Sequence, residues 1–384
     1  MTLAPDPSRH DLPRSAAVVI VGGGFAGLST ANALWRRGVT DLVILEQEPV
    51  PAFHSSGRNA AILRRLIEEP TTFALAMTSY SRLESLHEED GSPILKKTGG
   101  LLIGDGPFLD HLWSLAISEP ALAAERLGRN EVTAHVGALG DANFDGGIFV
   151  PGDGVVDIHG LARILLAPVR QRFFAQTAIT GVEVQAGRIA AVETSRGRIA
   201  TDHLINASGF GSNAIATFAG LTPLPFQPVR RHLFVTASTA LVDRSAPWVW
   251  NGTAGYYFRP EGTGLLMCAC DSTPWPDDHP MDPPVDPAAK EALAKKFFDL
   301  VPRLSDVRPT RGWAGLRVLT PDQRFIIGRD PRLTGFTWVA GLGGHGMTTA
   351  CQVGELGADA ALDRPTPDVL SPARFLGSDH GVAL

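Results

Sequence analysis

The sequence predicts a mixed α/β (α+β) fold, in which a Rossmann-like domain is interrupted by a second domain with a mixed, largely antiparallel sheet. Three observations predict this fold. The chain begins with a strand, a glycine-rich turn and a helix, and it ends with the same three features. Between them, residues 229–270 carry long strand patterns separated by turn signals. A length of 384 residues suits two domains.

The opening stretch is typical of a dinucleotide-binding βαβ unit. An apolar strand leads into G-x-G-x-x-G at Gly22, Gly24 and Gly27, which is followed by a helix and by a second strand that ends at Glu46. Gly22 permits the turn, Gly24 lets a pyrophosphate approach the backbone, and Gly27 lets the helix pack against the sheet. The helix N-terminus offers N–H groups to phosphates, and Glu46 is a suitable acceptor for a ribose diol.

Composition excludes several other classes of protein. A net charge of −6 argues against nucleic acid as the main partner. Residues 15–35 carry no charge, but three consecutive glycines favour a βα turn over a transmembrane segment. Cys268, Cys270 and Cys351 suggest neither a disulfide framework nor a metal site. We therefore expect no bound metal. Residues 1–14 do not have the pattern of a signal peptide, and so we expect a cytoplasmic protein.

The end of the chain specifies which dinucleotide is bound. The strand TWVAG, the turn GLGGHG and a helix repeat the opening pattern. A domain that binds a nicotinamide dinucleotide does not need this second strand–turn–helix unit, whereas a flavin ring needs backbone N–H groups from a second helix N-terminus. The sequence therefore indicates FAD. We also expect residues 54–66 to lead from a loop into a helix, and residues 108–127 to form one helix.

These motifs resemble the D-amino-acid oxidase-like FAD-dependent oxidoreductases, which include D-amino acid and D-arginine dehydrogenases and glycine and sarcosine oxidases. The resemblance rests on VVIVGGGFAGLSTANAL, HSSGRNAA, GVVDIHGLARILL, INASGFGSN, YYFRPEGTGLL, WAGLRVLTPDQRFIIG and VAGLGGHGMTTACQVGELGADAAL, which extend from residue 16 to about 362. It implies an FAD-binding domain made of residues 14–85, 151–225 and 321–384. Residues 86–150 and 226–320 would form the substrate domain.

The resemblance also implies a set of cofactor-binding residues. The ADP half would contact Gly22, Gly24, Phe25, Ala26, Gly27, Glu46 and Gln47, with Val182 at the adenine and Ala207, Ser208 and Gly209 near the pyrophosphate. The flavin would contact Ser55, Ser56, Gly57, Arg58, Asn59, Ala60 and Ala61 on one side, and Gly341, Gly343, Gly344, His345, Gly346, Met347 and Thr348 on the other.

The FAD is expected to be non-covalent. In our alignment, Gly315 stands where sarcosine oxidases carry a tethering cysteine, and Asn59 stands where dimethylglycine-type enzymes carry a histidine. Sarcosine oxidases also carry a lysine that promotes the reaction with oxygen. Leu266 or Met267 takes its place here, so the resemblance implies a dehydrogenase more than an oxidase. The physiological electron acceptor, whether quinone, dye or oxygen, stays open.

The substrate site resembles that of D-arginine dehydrogenases through SGRNAA, WAGLR and GLGGHG. Arg317 would bind the substrate carboxylate as a bidentate pair. The residues expected to assist it are Arg231, with Arg230 as a second choice, together with Tyr257, Gly344 and His345. Two structural alternatives stay open, namely a surface arginine at 317 and a spectator histidine at 345. Since Tyr256 and Tyr257 alternate in a strand, only one of them faces the pocket.

The side-chain pocket differs from that of the arginine-specific enzymes. Ile62 and Ile67 fall in the segment after SGR, which favours an apolar or small substrate, although Glu68 and Glu69 remain as acids for an amine. The resemblance implies oxidative deamination of an α-amino acid, of D configuration. Hydride would pass from Cα to flavin N5, and the imino acid would hydrolyse to a keto acid and ammonia. The alternatives are a secondary amine, a 2-hydroxy acid, or a non-catalytic flavin subunit of a larger oxidase.

Overall fold

The computed structural model describes residues 11–376 and has the predicted mixed α/β architecture. The α-helices in this part of the chain are α1 Phe25–Arg36, α2 Pro70–Glu84, α3 Gly106–Ile117, α4 Arg129–His135, α5 Ile158–Leu166, α6 Ser212–Phe218, α7 Pro287–Leu300 and α8 Ala350–Ala361. No helix within residues 11–376 is both long and apolar enough to cross a membrane.

The first sheet is mainly parallel. Its strands are β1 Val18–Val21, β2 Leu42–Leu45, β9 Phe173–Phe174, β13 Leu204–Asn206, β20 Ile326–Arg329 and β21 Phe336–Ala340. They lie in the order β20-β21-β13-β1-β2-β9, and β20 alone among them runs antiparallel to its neighbour. Because β1 lies between β2 and β13, the turns after these three strands meet at one edge of the sheet.

The second sheet is mixed and largely antiparallel. Its strands are β5 Gly100–Gly104, β6 Glu125–Gly128, β7 Gly146–Val150, β14 Gln227–Thr236, β15 Trp248–Asn251, β16 Tyr256–Glu261, β17 Gly264–Cys268, β18 Thr273–Pro274 and β19 Pro309–Leu319. The order is β18-β14-β17-β16-β15-β5-β7-β6, with β19 paired to β14, and the β15–β5 pair is parallel. The two large sheets thus draw on alternating stretches of the chain, as an interrupted domain requires. The predicted domain boundaries themselves stay a prediction.

Two small antiparallel sheets complete the fold. One contains β10 Ile179–Gln185, β11 Arg188–Thr194 and β12 Gly197–Ala200, and the other contains β3 Ile62–Leu63, β4 Leu95–Lys96 and β8 Gly154–Val156. Apolar clusters fill both faces of the first sheet: α1, α5 and α8 contribute to one cluster, and β11, β12 and α6 contribute to the other.

Helices α1 and α8 cross at a very short distance beside the first sheet. A Cβ atom on Gly354 would lie 2.4 Å from the backbone oxygen of Ser29, and one on Gly357 would lie 2.5 Å from Thr30 Oγ1. Both distances are far shorter than a van der Waals contact, so glycine is required at both positions. This crossing holds the first and last glycine-rich turns beside each other.

Two expectations about helices were wrong. The segment after Asn59 enters strand β3 and not a helix, because Ala61 adopts a left-handed φ of 57° while its N–H donates to Asn59 Oδ1. Helix α3 ends at Ile117, ten residues earlier than predicted, since Pro120 has no N–H with which to continue it. Strand β6 then uses the end of the predicted helix.

A buried ion pair connects the small sheet of β3, β4 and β8 to helix α2. Asp153 is fully buried and Arg65 is 2 % exposed, with Arg65 Nε donating to Asp153 Oδ1 over 2.7 Å. The Arg65 backbone N–H donates to the other carboxylate oxygen, and the guanidinium lies 3.9 Å from the centre of the Tyr80 ring. Neither charge has access to water, so each depends on the other.

We predict that Asp153→Ala destabilises the protein strongly, because it leaves the Arg65 guanidinium buried without its anion. The expected loss of unfolding free energy is about 3–5 kcal/mol. Urea denaturation of the flavin-loaded protein measures it. Asp141→Ala is the matched control, since it breaks an exposed pair with Arg303 and is expected to cost about 0–1 kcal/mol. Equal losses in the two variants would contradict the assignment.

Candidate active site

One long cavity of about 380 Å³ extends from the first glycine-rich turn to the second sheet. Its walls come from both large sheets and from the turns that follow β1, β2, β13 and β21. Most of the predicted cofactor residues line it, and so do all five residues predicted for the substrate site, which are Arg317, Tyr257, His345, Arg231 and Gly344.

The first turn has the geometry of a phosphate cradle. Gly22 has a φ of +109°, and a Cβ on it would lie 2.4 Å from the Ala207 oxygen. A Cβ on Gly27 would lie 1.9 Å from the Gly22 oxygen, so Gly27 packs against the turn and does not line the cavity. Gly24 does line it, and its N–H and that of Ala26 bond no described residue. These free donors at the start of α1 suit an anionic pyrophosphate.

Glu46 occupies the predicted place at the end of β2. Its Oε2 accepts a hydrogen bond from the Gly23 N–H over 2.7 Å, and its Oε1 accepts one from the Glu48 N–H over 2.9 Å. Burial raises the pKa of Glu46, while these two N–H groups oppose the shift. The carboxylate therefore also stiffens the first turn, beyond the contact predicted for it.

The second glycine-rich turn supplies another row of free donors. Gly341, Gly343 and Gly344 all have positive φ values, of 70°, 53° and 92°. The N–H groups of Gly346 and Met347 bond no described residue and stand at the cavity just ahead of α8. With two such rows in one cavity, the residues present fit a flavin dinucleotide.

The segment of residues 54–60 is tied to β19 beneath the cavity. Ser55 Oγ donates to the Leu316 oxygen over 2.7 Å, and Trp313 Nε1 donates to the Arg58 oxygen over 2.8 Å. Ser56 Oγ accepts from the Phe25 N–H, which joins the segment to α1. The predicted cofactor residues Gln47, Asn59, Ala60, Ser208, Gly209 and Thr348 also line the cavity, and their contacts with FAD stay a prediction.

Three predicted cofactor residues besides Gly27 do not line the cavity. A Cβ on Gly57 would lie 2.2 Å from the Ala52 oxygen, and Ala61 is buried, with its N–H donating to Asn59 Oδ1. Val182 is a correction of more weight, because it lies within β10, paired with Val192 in the small sheet. The cavity is lined instead by residues just before it, namely Thr177, Ala178 and Ile179.

Strands β14 and β19 bring two arginines together. Arg231 lies opposite Gly315, and Arg317 lies opposite Val229, so the two arginines are diagonal neighbours on one face of the sheet. Arg231 Nε and Nη2 donate to the backbone oxygens of Asp271 and Cys270, over 2.7 and 3.2 Å. These acceptors are uncharged, so they hold Arg231 without neutralising it.

The Arg317 guanidinium has no hydrogen bond or ion pair with any residue among those described, although the Arg317 backbone pairs with β14. Burial, together with the charge of Arg231, lowers its pKa, but a guanidinium stays protonated. A Cβ on Gly344 would lie 2.7 Å from Arg317 Nε, so the absence of a side chain at 344 lets the guanidinium lie against the second turn. No carboxylate forms an ion pair with either guanidinium among the described residues, so the pair presents positive charge to the cavity.

Arg230, the second-choice arginine for assisting Arg317 at the substrate carboxylate, is not part of this site. It lies on the opposite face of β14, where Nη2 donates to Asp286 Oδ2 over 2.8 Å and its guanidinium stacks on Trp275 at 5.0 Å. The alternation of a strand separates it from Arg231.

The two tyrosines separate in the same way. Tyr257 lines the cavity beside Arg231 and Arg317, and burial raises its pKa well above the usual value, so its hydroxyl is neutral. Tyr256 points into the opposite core, where its ring lies 5.2 Å from that of Phe297. Trp250, which sequence reasoning missed, stacks on Tyr257 with ring centres 4.6 Å apart.

His345 is half-buried among cations. Burial, followed by the charges of Arg64 and Arg317, lowers its pKa to about 3. The imidazole is therefore neutral at any ordinary working pH. It offers a polar contact and no positive charge.

The two isoleucines and two glutamates that follow SGR lie in different places. Ile62 lines the cavity, whereas Ile67 is buried in the core beneath the second sheet. Glu69 caps α2 by accepting the Thr72 N–H, and Glu68 pairs with Arg64. Neither acid lines the cavity, and Arg64 does.

We predict that Gly24→Val abolishes FAD binding, because Gly24 is bare toward the cavity and its Cβ would already lie 3.0 Å from Ser56 Oγ. Loss of a bound ligand at a thousandfold excess over Kd removes about 4 kcal/mol of stabilisation. Gly137→Val is the control, since nothing lies within 4 Å of that position.

Acid precipitation followed by absorbance of the supernatant measures the FAD in each protein. Full flavin content in Gly24→Val would move the dinucleotide elsewhere. A wild-type pellet that stays yellow would overturn the expectation of non-covalent FAD. His54 would then be the next residue to replace, since it lines the cavity with an unpartnered Nδ1.

Known proteins resemble this chain over nearly its whole length. Residues 17–360 match the family model described as "DAO: FAD dependent oxidoreductase". The chain is 25 % identical to the mitochondrial sarcosine dehydrogenase of Mus musculus over 404 aligned positions, which cover 96 % of this chain and 42 % of that protein. The chain thus spans less than half the length of this curated relative.

Solved structures share the fold at lower identity. The L-proline dehydrogenase of P. horikoshii superimposes with a TM-score of 0.82 at 21 % identity, covering 95 % of this chain and 99 % of that one. The glycine oxidase of Geobacillus kaustophilus gives a TM-score of 0.78 at 22 % identity, covering 95 % and 100 %. The match to the family model covers nearly the whole chain, and the protein therefore belongs to the DAO family of FAD-dependent oxidoreductases.

Proposed function

We propose that this enzyme oxidises the carbon–nitrogen bond of an α-amino acid, of D configuration, to an imino acid that hydrolyses to a keto acid and ammonia. The observation that carries the proposal is the unpaired Arg317 beside Arg231, within the cavity that also holds both glycine-rich turns. The D configuration rests on the resemblance of SGRNAA, WAGLR and GLGGHG to D-arginine dehydrogenases.

The two arginines bind and orient the substrate. Arg317 offers a planar fork of N–H donors to the carboxylate, and Arg231, held by two backbone oxygens, offers its remaining Nη1. Fixing the carboxylate at two points also fixes where Cα lies in the cavity, so catalysis depends mainly on positioning. The Tyr257 hydroxyl, which stays protonated, is a further donor to the same carboxylate.

The surrounding charges favour the reactive form of the amine. Cations around the cavity disfavour an ammonium ion, so the substrate amine loses its proton more readily than in water. His345 is neutral and is not assigned as the base. FAD, when bound, supplies the acceptor for the hydride and its two electrons. The amine proton goes to water, and no obligatory protein base is proposed.

Anaerobic bleaching of the flavin with a panel of D- and L-amino acids tests the substrate class, with sarcosine and 2-hydroxy acids included. We expect D-amino acids to bleach it. Bleaching by L-amino acids alone would overturn the configuration. Bleaching by sarcosine or 2-hydroxy acids alone would favour those substrates. A flavin that no compound bleaches would favour the non-catalytic subunit.

We predict that Arg317→Ala keeps its flavin but loses at least about tenfold in kcat/KM, because a hydrogen bond to a charged group contributes about 1.5–3 kcal/mol. Arg317→Lys is expected to recover only part of the loss, since an ammonium cannot bind the carboxylate through a planar fork. Steady-state kinetics with a dye acceptor measures both variants.

Arg230→Ala is the matched control for this prediction. It removes an arginine from the same strand pair, on the face turned away from the cavity, and is expected to leave kcat/KM within about twofold of the wild type. Unchanged kinetics in Arg317→Ala would move the carboxylate contact to Arg231.

We predict that oxygen is a poorer electron acceptor than a quinone or a dye. Flavin reacts with oxygen faster beside a positive charge that stabilises superoxide. Leu266 and Met267, at the position of the lysine in sarcosine oxidases, are both buried and apolar, and His345 is neutral. No lysine lines the cavity within the described residues, and Arg231 and Arg317 are assigned to the substrate carboxylate. Stopped-flow mixing of substrate-reduced enzyme with air-saturated buffer or with dye measures the two rates. Equal rates would contradict the prediction, with the cavity arginines as the next groups to replace.

A further inference from the structure

The ionised side chains that line the cavity are nearly all arginines. Among the described residues, its lining includes Arg58, Arg64, Arg231 and Arg317 but only one carboxylate, Glu46, at the ADP-binding end. A monocarboxylic amino acid uses Arg231 and Arg317. The arginines at 58 and 64 need a separate explanation.

Arg58 already has a carboxylate partner, and its side chain is 21 % exposed, so its other donors reach water. It forms an ion pair with Asp282, and its guanidinium lies 5.2 Å from the centre of the Phe53 ring. Its backbone oxygen accepts from Trp313 Nε1, so the residue fastens the segment of residues 54–60 to β19. It needs no ligand.

Arg64 is buried with an incomplete set of partners. The residue directly follows β3 and is 4 % exposed. Its Nε donates to the Leu66 oxygen over 2.9 Å, but Nη2 has no partner in hydrogen-bonding geometry, although Glu68 Oε2 lies 2.5 Å away. No described residue accepts a hydrogen bond from Nη1. A buried guanidinium in this state is stabilised by an anion that approaches from the cavity.

Glu68 neutralises Arg64 only in part. Its side chain is 42 % exposed and does not line the cavity, so water weakens its attraction to Arg64. The cavity therefore faces the guanidinium and not the carboxylate of this pair.

Trp250 connects Arg64 to the substrate-binding wall. The Arg64 Cζ lies 4.7 Å from the centre of the Trp250 ring, and that ring stacks on Tyr257 at 4.6 Å. Tyr257 in turn lies beside Arg231 and Arg317. One wall thus carries two cationic sites separated by two stacked rings, those of Trp250 and Tyr257, an arrangement suited to a small molecule with an anion at each end.

We infer that Arg64 binds a second carboxylate of the substrate, so that this enzyme acts on dicarboxylic amines. The inference rests on the proposed function and names the substrate class of the same site. The second carboxylate belongs either to the side chain on Cα, as in glutamate and aspartate, or to the substituent on nitrogen, as in iminodiacetate. Arg64 recognises the same chemical group in both cases.

Binding of unreactive carboxylates tests Arg64 without turnover. Succinate and butyrate have the same chain length but differ by one carboxylate. We expect the flavin-loaded wild type to bind succinate at least about tenfold more tightly than butyrate in calorimetric titrations. Arg64→Gln is expected to remove this preference while flavin content and Tm stay close to the wild-type values.

Glu68→Gln is expected to change the preference for succinate in the opposite direction. It removes the partial neutralisation of Arg64, so its preference for succinate is expected to exceed that of the wild type. A structural role for the Arg64–Glu68 pair would instead weaken all ligands in both variants. This contrast keeps the test decisive if Arg64→Gln folds poorly.

Kinetics with paired substrates distinguishes the two sources of the carboxylate. Glutamate and aspartate, in both configurations, are compared with glutamine and asparagine, and iminodiacetate is compared with sarcosine. The pair of compounds with the larger difference in KM shows whether the second carboxylate lies on the Cα side chain or on the nitrogen substituent. Arg64→Gln is expected to raise KM at least about tenfold for the dicarboxylate of that pair only.

The outcomes separate this inference from the proposed function. Equal binding of succinate and butyrate by the wild type, with equal KM values within each pair, would overturn the role of Arg64 while amine oxidation stands. A preference for succinate without bleaching by any amine would keep the anion site and overturn the proposed function.

Discussion

The close approach of backbone to backbone at the first glycine-rich turn is the constraint on which the rest of the structure depends. The oxygen of Ala207, after β13, lies where a side chain on Gly22 would begin, and the oxygen of Gly22 lies where one on Gly27 would begin. Strand β1, helix α1 and the turn after β13 can meet at one point only because these positions carry no Cβ. That meeting point is the phosphate end of the cavity.

Charge divides the cavity into two regions. Its ADP-binding end carries free backbone donors and a buried Glu46. Its far end carries the guanidinium groups of Arg231 and Arg317, which have no carboxylate partner among the described residues, and that of Arg64, whose partner Glu68 is partly exposed to water. Folding places these charges in a site shielded from water, which is unfavourable unless an anion binds there. The free energy of substrate binding therefore includes relief of a cost already present in the fold.

The register of β14 and β19 decides which arginines belong to the site. Arg230 and Arg231 are adjacent in sequence, yet Arg230 pairs with Asp286 outside the cavity, whereas Arg231 lies beside Arg317 on the face that lines it. The side-chain period of two in a strand makes this separation absolute. A shift of one residue in the register would exchange the two arginines and remove the carboxylate site.

The sequence by itself determined the parts of the site that are local in the chain. Both glycine-rich turns, the acid at the end of β2 and the family follow from motifs whose residues are neighbours, because their φ angles and close packing are needed at fixed spacing. The end of α3 was missed, since a long apolar pattern outweighed Pro120. Only the tertiary structure brought Arg64, Trp250 and Tyr257 together, because they follow or lie in three different strands. Trp250 and Tyr257 are cross-strand neighbours in the β15–β16 hairpin, but Arg64 comes from a segment far earlier in the chain. A contact between segments so distant in sequence leaves no local signal, and so the second cationic site appears only in the folded chain.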